Sequence, residues 1–279
     1  MKIKSLLLAG LAGVALASCG GVKSYKTEVK QATFASDLKK AFDASSLFNV
    51  KDPYSFVEDS ESTFDMRIAH TKENKTFVEE RKIEKTSGKV EYDSVSNVTH
   101  SEESTKRELR NNNEVDNYEC EREIQTQADS SFYYTIDMDG KLYTKSETKI
   151  GAEEIKTHAL LFINNPVDAF FDEYFGIAVM EDPGSKFYID GNVYTCENII
   201  DDTEDGVHDY IQTIYQLVLL EDGFDFYYIV NREKTQLNEK FVVESADKSS
   251  FRRKDSVNLK SADLHDYLQV EELPEVKDL

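Results

Sequence analysis

Polar and apolar residues alternate with a period of two over most of the chain, which is the mark of strands. Phe64, Met66 and Ile68 alternate with Asp65 and Arg67, and Lys72-Glu73-Asn74-Lys75 reads as a turn into a second run from Phe77 to Lys85. Thr86-Ser87-Gly88-Lys89 reads as another turn, after which Val90, Tyr92 and Val98 mark a third strand. Beyond Asn111-Asn112-Asn113, Tyr118, Cys120 and Ile124 share one parity with Phe132, Tyr134 and Ile136. Asp137-Met138-Asp139-Gly140-Lys141 then turns the chain into Leu142-Tyr143-Thr144. The last third repeats the theme, with hairpins expected at Asp190-Gly191 and Glu221-Asp222-Gly223 and further strands at Phe241-Val242-Val243 and Val257-Asn258-Leu259. Few of these strands are apolar on both faces, so the sheet is expected to be antiparallel with one side in water.

Two segments follow a helical period instead. Leu38, Ala41, Phe42 and Ser45 fall on one stripe behind Ser36, a candidate N-cap, and Ile155, Ala159, Phe162 and Ile163 fall on another. Asn165-Pro166 breaks the second segment and restarts it, with Pro166 at the first helical position and Asp168 in the first turn. The expected fold is therefore α+β: a long curved antiparallel sheet, an N-terminal helix and a central helical pair within 152–175. One domain is expected over 36–270, followed by an acidic tail over 271–279.

The first residues have a different character. A basic Met1-Lys2-Ile3-Lys4 precedes twelve uncharged residues ending at Ala17, the form of a secretory signal and too short to span a bilayer comfortably. Leu16-Ala17-Ser18-Cys19 resembles the lipobox of bacterial lipoproteins. That resemblance implies removal of residues 1–18, diacylglyceryl attachment to the Cys19 sulfur, acylation of the new amine, and residence on the outer side of the cell membrane. Small polar residues over 19–35 are then expected to act as a flexible tether. Two or more acyl chains hold firmly where one does not.

Charge narrows the partners. The chain has 54 acidic against 33 basic residues, and losing Lys2 and Lys4 with the signal takes the net charge from −21 to −23. Nucleic acid is excluded as a natural partner, since binding it rests on neutralising phosphate. A protein or an apolar ligand remains.

Chemical signatures are sparse. His70, His100, His158, His208 and His265 show no metal-ligand spacing, and nucleophile-elbow, Walker and dinucleotide motifs are missing from the sequence, so neither a metal, a cofactor nor an enzymatic activity is expected. Asp137-x-Asp139-Gly140 lacks the remaining ligands of a calcium loop and reads as a hairpin turn. Cys120 and Cys196, exported, either form a bridge closing a loop of about 75 residues or stay as free thiols.

The element order also resembles LolA-like and LppX-like lipoproteins, whose half-barrel encloses acyl chains. The resemblance implies an apolar cavity lined by Phe162, Phe170, Phe171 and Phe175. Two functions stand from the sequence: a lipid or apolar-ligand carrier, and a surface protein that docks to an envelope or extracellular protein.

Overall fold

The computed structural model describes residues 22–45, 54–72, 75–96, 98–112, 114–127, 131–138, 141–148 and 183–259. A short strand β1 (Glu28–Val29) leads into a helix α1 (Gln31–Ala44). The next six strands are β2 (Ser55–Lys72), β3 (Lys75–Asp93), β4 (Val98–Asn111), β5 (Glu114–Gln127), β6 (Ser131–Met138) and β7 (Lys141–Thr148). Five more follow: β8 (Lys186–Asp190), β9 (Val193–Glu204), β10 (Val207–Leu219), β11 (Gly223–Gln236) and β12 (Glu239–Lys254). All twelve belong to one sheet in the order β1-β8-β9-β10-β11-β12-β2-β3-β4-β5-β6-β7. Two meanders, β2–β7 and β8–β12, are thus joined side by side by the antiparallel pairing of β12 with β2.

The α+β expectation is overturned, because one antiparallel sheet holds most of the described residues and α1 is the one helix among them. The expected helical pair, 152–175, lies outside the described residues. The turn expected at Thr86–Lys89 is also corrected. There β3 runs straight through, with Ser87 opposite Glu61 and Ser104, and Gly88 opposite Ser60 and Glu103. Gly88 marks a close approach instead, since a Cβ there would lie 2.7 Å from the Ser60 hydroxyl oxygen. At 19 residues β3 extends on the order of 60 Å.

Directly paired residues point to the same side of a sheet, so the register defines its two faces. One row reads Tyr194, Leu217, Phe226, Ser249, Ser60, Gly88, Glu103 from β9 to β4. It is apolar where α1 covers it and polar beyond. The stripe Phe34, Leu38, Ala41, Phe42 follows helical spacing and begins before Ser36, which is why α1 starts at Gln31; Thr33 and Phe34 donate their N–H groups to the Lys30 carbonyl. Phe34, Leu38 and Phe42 are wholly buried against Phe187, Tyr194, Cys196, Leu217 and Phe224. Phe34 lies 5.2 Å from Phe187 and 5.9 Å from Tyr194, while Phe224 stacks on Phe251 at 5.2 Å. Each such buried side chain stabilises by about 1.5–3 kcal/mol.

The opposite face is not simply wet. Thr195, Gln216, Ile214, Tyr227, Ile229 and Ala246 are buried there, and Val22 packs on Ile214, Ile229 and Ala246.

Candidate functional site

Three features of this sheet bear on function: its N-terminal docking segment, a belt of polar side chains, and an edge that is unpaired among the described residues.

The segment crosses the face opposite α1. Gln216, completely buried, takes the Lys23 N–H on Oε1 at 2.6 Å and donates Nε2 to the Lys23 carbonyl at 2.9 Å and to Thr195 Oγ1 at 2.9 Å. Tyr25 lies 4.9 Å from Tyr188, and burial beside Glu197 pushes its hydroxyl well above the usual phenol range. Asp190 accepts from the Lys26 N–H at 2.6 Å and from the Thr27 hydroxyl at 2.7 Å. The Thr27 hydroxyl, the chief cause, holds the Asp190 carboxyl below its ordinary range. The chain then enters β1 beside β8.

The belt runs across the same face. Gln212 donates to Glu197 at 2.7 Å and accepts from Asn231 at 3.2 Å. Asn231 is directly opposite Glu244, whose carboxylate takes an Arg67 guanidinium N–H. Asp65 receives Arg81 in a two-pronged contact at 2.7 and 3.1 Å. Asn231 Oδ1 and Arg67 Nε are buried without a hydrogen-bond partner. Similar two-pronged pairing joins Arg232 to Asp209 at 2.6 and 3.0 Å on the other face. The guanidinium keeps the Asp209 carboxyl below its ordinary range. Cross-strand pairs of this kind hold the long strands together where, among the described residues, no apolar layer covers them.

The edge belongs to β9. Its partner β8 begins at Lys186, opposite Glu197, so among the described residues Ile199 to Glu204 pair with β10 alone. Ile199 and Ile200 are 39 % and 44 % exposed, on opposite faces, and Asp201, Asp202 and Glu204 are exposed beside them. His208 reaches Asp201 at 2.8 Å from β10. A cleft of 460 Å³ opens at the start of α1, between Lys30 and Gln31 on one side and Ser185 and Lys186 on the other.

Cys196 is a free thiol, completely buried, and that burial pushes it up to about 12. Cys120 sits in β5 opposite Thr105 and Met138, and six strands lie between β5 and β9 in the sheet order. The two cysteines are not brought together. Cys19, Phe162, Phe170, Phe171 and Phe175 lie outside the described residues. Among the described residues no three His, Cys, Asp or Glu side chains converge as a metal site, and no helix is long and apolar enough to cross a membrane. Sequence reasoning missed Gln216 and Asn231, since a lone amide on a strand gives no local signal. It also missed the β9 edge, which depends on where β8 starts.

No protein family and no curated protein matches the chain. Among solved structures, the translocator domain of autotransporter NalP from Neisseria meningitidis is similar over 78 % of this chain and 96 % of that one, at 6 % identity and a TM-score of 0.21. Likeness at that level says nothing of what this chain does.

Proposed function

We propose that this protein is a lipid-anchored, extracytoplasmic interaction protein without enzymatic activity, which recruits a protein partner by adding the partner's strand to the open edge of β9. The edge carries the reading: a six-residue stretch with no strand on its outer side among the described residues, bearing two exposed isoleucines, is a template for strand addition. The occupant is an extended segment bearing Lys or Arg, because Asp201, Asp202 and Glu204 line the edge. Self-pairing of two copies would set these carboxylates against one another. The lipobox at Leu16–Cys19 supports export and anchoring. The non-enzymatic reading draws on the described ionisable groups: the carboxylates of Asp65 and Asp209 are held by arginines, and the one buried thiol is shifted away from reactivity. The carrier reading has less support, since α1 fills the apolar end of the sheet with Phe34, Leu38 and Phe42.

A photo-reactive residue at Ile200 in intact cells tests the edge. One recurrent protein should be captured, capture should be lost with Ile199→Pro, and a synthetic peptide from the captured segment should slow amide exchange across 199–204. Capture that is indifferent to Ile199→Pro would sink the reading. Anchoring is tested by Cys19→Ala, which should leave an unprocessed precursor that takes up no fatty-acid probe.

A further inference from the structure

The docked segment has a consequence for how the domain sits on a membrane. Val22 is buried in part against Ile214, Ile229 and Ala246, and Lys23 is held at both its main-chain groups by Gln216. Ile214, Ile229, Ala246 and Gln216 all lie on the face opposite α1, over β10 to β12. Asp190 fixes the other end of the segment at Lys26 and Thr27. Cys19 is three residues before Val22. At 3.3–3.6 Å per residue fully extended, its Cα lies no farther than about 11 Å from that of Val22.

We propose that residues 22–29 are a rigid mount rather than a spacer, presenting the Gln216 face of β10–β12 to the bilayer and turning α1 away from it. The proposal rests on lipid attachment at Cys19. Acyl chains that start within about 11 Å of this face leave no room for the domain to turn it outward while they stay inserted. The face itself is mixed in charge, with Lys248 directly opposite Glu61, so insertion of the acyl chains and not headgroup charge supplies the attraction. The mount also decides what remains free. A partner reaching the Ile199–Glu204 edge approaches along the membrane plane, beside the sheet.

The chain has no tryptophan, so single tryptophans report position. Asp247 and Lys248 are neighbours on β12 that point to opposite faces. Lipidated full-length protein carrying Lys248→Trp or Asp247→Trp is reconstituted in phosphatidylcholine vesicles containing phosphatidylglycerol and brominated acyl chains. Lys248→Trp should be quenched about threefold more than Asp247→Trp, as the leaflet surface stands within about 11 Å of the mount. A Gly-Ser linker of about ten residues inserted between Gly21 and Val22 leaves the docking contacts intact and should erase that difference. Gln216→Leu, which strips both bonds from Lys23, should do the same. Equal quenching at the two positions, or a difference that survives the linker, overturns the mount while leaving the anchor standing. Failure of wild-type Cys19 to take up a fatty-acid probe overturns the anchor and the mount together.

Discussion

Gly223 at the start of β11 lies so close to Phe251 of β12 that a Cβ would sit 1.9 Å from the Phe251 carbonyl oxygen. The same two strands stack Phe224 on Phe251 with ring planes 7° apart, so the tight approach seats the aromatic end of the core. Gly223→Ala should therefore force the strands apart and cost about 1–3 kcal/mol, lowering the thermal midpoint by several degrees. An unchanged midpoint in calorimetry would mean that the pair can relax freely.

Phe42 ties α1 to the sheet with no exposed surface left over. Phe42→Ala should remove about 3–5 kcal/mol through lost burial and the cavity left behind. Urea titration followed by circular dichroism should show an earlier midpoint. By contrast, Lys39→Ala breaks an exposed pair with Asp43 and should change little.

Cys196 is buried among Phe34, Tyr194 and Leu217, and its thiol is pushed up to about 12 by that burial. In the native protein at pH 8 the peptide carrying Cys196 should stay unmodified by iodoacetamide, and it should be modified fully in denaturant. Rapid native modification would contradict the packing of this end of the core.

Asp93 at the β3–β4 turn accepts four hydrogen bonds: from the Ser96 hydroxyl at 2.7 Å, the Ser96 N–H at 3.2 Å, the Val95 N–H at 3.4 Å and the Ser55 hydroxyl at 3.1 Å. The Ser96 hydroxyl is the chief cause of a carboxyl held below its ordinary range. A depressed folded value stabilises the protein above the ordinary Asp range near 3.9, and that contribution fades as pH falls from there through the folded value. Asp93→Asn should accordingly lower the thermal midpoint at pH 6, with the gap from wild type narrowing towards pH 3. A gap independent of pH would assign the effect to shape and not to charge.

Much of the sheet was legible in the residues. Alternation marked β2 and β6, and Asp190-Gly191 and Glu221-Asp222-Gly223 marked reversals that exist, with Gly191 in the left-handed region at φ 66°. Gly88 misled because a Ser-Gly pair in a polar run looks like a turn; in the sheet the Ser60 hydroxyl of β2 fills the space that a Cβ would take. The reversals at Asp205-Gly206 and Leu237-Asn238 also needed the structure.

Local chemistry by itself determined the acidity and the strand-rich character, and it set the expectation of a signal ending in a lipobox-like Leu16-Ala17-Ser18-Cys19, because each is written in neighbouring residues. Tertiary structure alone decided that β12 pairs with β2, that Cys196 is a free thiol with six strands between its own and that of Cys120, that among the described residues β8 leaves Ile199–Glu204 open, and that Gln216 holds Lys23 across 193 residues. Pairing between distant strands is set by which backbones meet and which side chains then share a face. A periodic sequence says that a strand has two faces, and only its neighbours say what each face touches.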